Sequence, residues 1–128
     1  MLLWWVNLIG GRVAGRDGAS WRIATDLSQI PLAVTPGLNP VREGDAVTVA
    51  VRPERIALAP EGILVGPNAF PCEIVDVSFL GAATSYRVRH GSSAVFQVIA
   101  SAAPDAALRR GDRVVASFAP DAAVVLAG

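Results

Sequence analysis

One histidine and one cysteine bound the chemistry open to this 128-residue chain. His90 precedes Gly91 in a run that reads as a hairpin turn, with no second imidazole to join it in a metal site or a triad. Cys72 shares a strand pattern with Ile74 and Val75, which points to a buried, inert thiol. A lone cysteine also excludes an intramolecular disulfide and any multi-cysteine zinc site, and it fits a reducing compartment such as the cytosol. Ser20, Ser78, Ser85 and Ser117 lack the Gly-x-Ser-x-Gly setting of a nucleophile elbow. Glu73 and Asp76, three apart on a strand, are expected on opposite faces, which disfavours a paired-carboxylate centre. All 11 cationic residues are arginine, so a Gly-x-x-x-x-Gly-Lys-Ser/Thr phosphate loop has no lysine to use. The expectation is a chain with no catalytic residue, no metal ligand set and no cofactor of its own.

Binding chemistry is left open. Arg52 and Glu54 flank Pro53 in a way that suits a salt-bridged ligand site, the plainer alternative being a strand-end turn whose arginine pairs locally. Arg87 and Arg89 alternate with Val88 and so project from one face, able to hold an anion or a partner's acidic surface; a solvated strand face is the alternative. Trp4, Trp5 and Trp21 could stack on bases or a sugar, or fill a core or an interface. The formal net charge is zero and no basic stripe stands out, which argues against nucleic acid as a partner. The apolar opening over residues 1–9 is too short to span a membrane and has no cationic leader or cleavage site, so it is expected to pack on a core or on a preceding domain.

These residues must be positioned by short strands. Turn formers recur through the chain, among them Gly10-Gly11, Asp17-Gly18, Glu61-Gly62, Gly81 and His90-Gly91, with runs rich in Val, Ile, Phe and Ala between them. Val47 to Val51 alternates valine with small residues, and Cys72–Phe79, Thr84–Val88, Val95–Ile99, Arg113–Phe118 and Val124–Leu126 read in the same way. A single short helix is expected over 104–110, with Pro104 and Asp105 at its start and arginines at its end.

The chain also repeats itself. Val41-Arg42-Glu43-Gly44-Asp45-Ala46-Val47 is echoed by Leu108-Arg109-Arg110-Gly111-Asp112-Arg113-Val114, and each is followed by a proline and an acid, Pro53-Glu54 and Pro120-Asp121. Asn7-Leu8-Ile9 and Asn68-Ala69-Phe70 open the two units, and the longer span from Asn68 to Gly111 places an insertion in the middle of the second. Each Gly-Asp reads as a tight turn, glycine supplying positive φ and the aspartate side chain bonding its own backbone before the next strand begins. The chain divides into halves 1–58 and 59–128, each with a marginal core alone and expected to share strands in one compact unit. The predicted fold is all-β: one or two small OB-like barrels built from two related strand sets.

The ordered motifs resemble those of a known family. Val51-Arg52-Pro53-Glu54-Arg55-Ile56-Ala57-Leu58 is similar to the V-R-P-E-x-I-x-L segment of the C-terminal transport-associated OB (TOBE) domains of ABC importer ATP-binding subunits. Asn68, Phe79-Leu80-Gly81, Thr84-Ser85-Tyr86-Arg87-Val88 and Gly111-Asp112-Arg113-Val114 follow in the family's order, and Asn7 to Val13 resembles the stretch that opens the region. The resemblance covers nearly the whole chain and is nearest to the spermidine/putrescine type. It implies structural roles for Asn7, Gly44, Asp45, Pro53, Asn68, Gly81, Thr84, Tyr86, Gly111 and Asp112. It also implies a non-catalytic regulatory and dimerisation module, cytoplasmic and peripheral to the inner membrane. Its partners would be the ATP-binding domain of the same or an associated subunit, a second copy of itself and, indirectly, the permease subunits. Arg52, Glu54, Arg87 and Arg89 would then be the ligand or partner surface. A small-oxyanion-binding domain of the molybdate type is the alternative, although that family's S-x-R-N opening is missing where Asn68 follows Gly66-Pro67.

Overall fold

The computed structural model describes residues 2–3 (backbone), 6–37, 40–62, 68–91, 94–100 and 108–127. Strands and turns make up the described residues, and the only helical pieces among them are two short 3-10 turns, Pro53–Arg55 and Pro120–Ala122. The predicted all-β, OB-like class is what the chain adopts. The short helix expected over 104–110 falls at 104–107 outside the described residues; Leu108, Arg109 and Arg110 lead into the Gly111 turn and are not helical. Trp4 and Trp5 also lie outside the described residues.

Among the described residues, eleven strands form two sheets. The first contains β1 (Leu2–Leu3), β2 (Val6–Asp17), β3 (Ser20–Thr25), β4 (Ser28–Val34), β5 (Ala46–Val51) and β11 (Ala123–Ala127), in the order β11-β5-β2-β3-β4 with β1 paired to β2. The second contains β6 (Ala57–Pro60), β7 (Ala69–Leu80), β8 (Ala83–His90), β9 (Ala94–Ala100) and β10 (Arg113–Ser117), in the order β6-β10-β7-β8-β9. All pairings are antiparallel. The orders correspond strand for strand once β11 is matched to β6 and β5 to β10. The last strand of the chain thus completes the first sheet, and β6, which straddles residues 58 and 59, opens the second. Each sheet curls until its outer strands touch, β11 on β4 and β6 on β9.

Alternation explains which side chains face inward. In β5, Val47, Val49 and Val51 are buried, and in β8 Tyr86 and Val88 are buried while Arg87 and Arg89 are exposed. The inward faces of both sheets merge in one core, with Val13, Ile23, Leu32, Phe70, Ile74 and Val114 among its most enclosed members. The repeated turns are equivalent in detail. Arg42 N donates to Asp45 Oδ2 at 2.9 Å and Arg109 N to Asp112 Oδ2 at 2.8 Å. Gly44 and Gly111 have φ of 92° and 93°. Gly44 N and Asp45 O bond Val13, as Gly111 N and Asp112 O bond Ile74.

The sheets are tied by two buried asparagines. Asn7 Nδ2 donates to Gln97 O at 2.8 Å while Gln97 N donates back to Asn7 Oδ1 at 2.8 Å, so a β2 side chain stands in for a strand edge against β9. Asn68 does the same to β4 from the other side: Ala33 N donates to Oδ1 at 2.7 Å, and Nδ2 donates to Ala33 O at 2.8 Å and Phe118 O at 3.1 Å. Asn7 and Asn68 are the buried polar residues among those described. Burying an amide is tolerable here because its donors and acceptor are satisfied.

Candidate functional site

The four residues singled out as a surface do not converge. Arg52 precedes the first 3-10 turn, and its side chain has no partner among the described residues. Its neighbour Arg55 makes the long-range pair instead, reaching Asp121 in the second 3-10 turn at 3.9 Å. Glu54 edges an apolar depression of about 460 Å³ lined by Ile56, Leu58, Tyr86, Val98 and Leu108. Arg89 is spent on Glu73, its Nη2 donating to Oε2 at 3.1 Å. Arg87 points into a different place, a groove of about 710 Å³ where β2 of the first sheet meets the outer face of the second.

That groove is the best-equipped site. Asp76 and Ser78 come from β7, Ser85 and Arg87 from β8, Val95 and Gln97 from β9, and Asn7 and Leu8 from β2. Gln97 Nε2 donates to Ser85 Oγ at 3.1 Å, and the Asn7–Gln97 clamp lies along the groove. Asp76 and Arg87 are directly opposed across the β7–β8 ladder, yet no ion pair joins them. One oxygen of Asp76 accepts its neighbour's amide, Val77 N, at 3.0 Å. Sequence reasoning missed Asp76 because strict alternation puts it on the face opposite Glu73. A bulge between Ile74 and Asp76 breaks the alternation, so Glu73 opposes Arg89 and Asp76 opposes Arg87 on one face, while Val77 takes the core side.

The remaining residues lie away from that groove. Tyr86 is 3% exposed and belongs to the core, Thr84 pairs with Phe79, and Gly81 turns the β7–β8 hairpin at φ 73°. Pro53 is buried at the start of its 3-10 turn. His90 Nδ1 lies 2.7 Å from Pro71 O, and its ring meets Phe70 edge-on. Cys72 is enclosed, and burial pushes its thiol up to about 12. No group of three or more metal-ligating side chains exists among the described residues. No helix among them is long and apolar enough to cross a membrane.

The β7–β8 hairpin is where the equivalent units differ most visibly. Asp17 and Ser20 of the first sheet are joined through Gly18-Ala19, whereas their counterparts Ser78 and Ser85 are separated by Phe79 to Thr84. The added tip leaves Phe79 82% and Leu80 55% exposed.

The TOBE domain model matches residues 49–126, more than half of the sequence and nearly all of the strands from β5 to β11. The chain belongs to the TOBE domain family. TOBE domains are associated with the ATP-binding subunits of ABC transporters. No curated protein matches this TOBE chain. Among solved structures, it is similar to the cytoplasmic molybdate-binding protein ModG in a form with molybdate bound. That likeness has a TM-score of 0.85 at 14% identity and covers 100% of both chains, so it concerns the fold.

Proposed function

We propose that this TOBE chain is a regulatory and dimer-supporting module of an ABC transporter's ATP-binding subunit, cytoplasmic and held at the membrane through the transporter. The observation that carries this reading is the Phe79-Leu80 tip. Two large apolar side chains on an extended hairpin, attached to a body braced by buried asparagines, suit contact with a protein surface better than solution. The units over 1–58 and 59–128 act as one rigid body in this reading. A ligand or partner favouring one placement of two such bodies would shift the closing equilibrium of the attached ATPases. The transported substrate proposed is a polyamine, on the order and identity of Phe79-Leu80-Gly81, Thr84 and Tyr86 alone. Analytical ultracentrifugation tests the contact: the chain is expected to self-associate, and Phe79→Ser with Leu80→Ser to weaken that association without unfolding it. A strict monomer, both alone and fused to its ATP-binding domain, would count against the module.

A second reading, a small-oxyanion-binding domain, draws on the likeness to ModG over the full length of both chains. In this reading the site lies elsewhere than the groove, because Asp76 lines it together with Arg87 where a dianion would need donors only. Isothermal titration with molybdate, tungstate and sulfate separates the two readings, tight binding favouring the second.

A further inference from the structure

We infer that the groove between the two sheets binds a small zwitterion of the α-amino acid class, its carboxylate on Arg87 and its ammonium on Asp76. Two charge pairs on one ladder behave differently. Glu73 and Arg89 oppose each other and close an ion pair of 3.1 Å. Asp76 and Arg87 also oppose each other, yet do not close one, and both line the groove. Asp76 follows a bulge and one of its oxygens accepts Val77 N instead of Arg87, and both charges line the same space.

Only a ligand carrying both charges satisfies such a site. A plain anion would meet Arg87 but be repelled by Asp76, and a plain cation would meet the reverse. An α-amino acid bears its ammonium and carboxylate on neighbouring atoms, a match for groups on adjacent strands, whose directly opposed Cβ atoms lie about 4.5–5.5 Å apart. Guanidinium is also the cation best shaped to grip a carboxylate through two donors. Ser78 supplies a further hydroxyl, while Leu8 and Val95 offer an apolar wall for an uncharged side chain. The volume, about 710 Å³, lies within the roughly 300–1,000 Å³ common for small-molecule sites. Because the Asn7–Gln97 clamp shares the groove, an occupant would touch both sheets at their joint.

The proposal names a signal for the regulatory module and rests on that reading only for what the signal controls; binding is separate from contact through Phe79. Isothermal titration of the whole chain with leucine tests it, beside 4-methylpentanoate, which lacks the ammonium, and 3-methylbutylamine, which lacks the carboxylate. Leucine is expected to bind, with each analogue weaker by about tenfold or more. Arg87→Gln and Asp76→Asn should each weaken leucine by a similar factor with unchanged thermal midpoint, and Arg89→Gln should leave affinity intact. Glycine, serine, glutamate, putrescine, glucose and molybdate complete the panel. The proposal is overturned if no amino acid binds up to about 10 mM, if 4-methylpentanoate matches leucine, if putrescine, glucose or molybdate binds more tightly, or if the Arg87 and Asp76 variants bind normally. Loss of self-association in the Phe79 variant with leucine binding retained would strike the module and spare the site.

Discussion

Asn7 and Asn68 are buried side chains that each make a strand-like pair of hydrogen bonds, and removing either leaves the backbone groups they grip without those partners. Asn68→Ala frees Ala33 N and the carbonyls of Ala33 and Phe118, and is expected to cost about 2–4 kcal/mol. Asn7→Ala, with two bonds lost to Gln97, should cost slightly less. Urea unfolding measures both, and a change below about 0.5 kcal/mol would show that the clamps are incidental. Cys72 gives a pH prediction. Its thiol holds a proton in the fold up to about 12, against an ordinary value of 9.0, because burial disfavours the thiolate. Above 9.0 the unfolded thiol ionises and the folded one does not, so this contribution is whole below 9.0 and lost as pH climbs towards about 12. Unfolding at pH 8 and pH 10.5 should differ more in the native chain than in Cys72→Ala. Ellman's reagent at pH 8 should label Cys72 only when urea opens the core.

At the scale of elements, the Gly-Asp turns were legible in advance because their requirements are local. Gly44 and Gly111 adopt a backbone that side chains avoid, and each following aspartate bonds an amide three residues back. A Cβ at either glycine meets nothing within 4 Å, so Gly44→Ala or Gly111→Ala should act through backbone strain alone, lowering stability by about 1–2 kcal/mol. Differential scanning calorimetry checks this, and the asparagine variants should recover part of the loss. The strands over Val47–Val51, Thr84–Val88 and Val95–Ile99 were equally visible, since alternation is written in consecutive residues. The bulge at Ile74 to Asp76 was not, because an extra residue in a strand is defined against its partner and leaves no mark on its own segment. That slip hid Asp76, which strict alternation puts on the face away from Glu73; Gln97 reaches the groove through the β8–β9 pairing, which no single segment shows.

At the scale of the molecule, the first sheet is not whole without β11, which lies more than 70 residues beyond its neighbour β5, whereas the second is built from the consecutive strands β6 to β10. Deleting residues 119–128 removes β11, the second 3-10 turn and the Thr35 N to Pro120 O bond, and should unfold the whole chain rather than its end. Circular dichroism and tryptophan fluorescence should report one coincident transition in the intact chain; two transitions would mean that the sheets unfold separately. The sequence by itself determined the all-β class, the paired turns, the opening asparagines and the lack of any lysine for a phosphate loop, because composition, alternation and turn chemistry act over a few residues. Only the tertiary structure decided which sheet receives each terminal strand, which backbone each asparagine grips, and that Arg89 finds its carboxylate while Arg87 does not. These are pairings between segments distant in sequence, fixed by register and shared burial, and no local pattern encodes them.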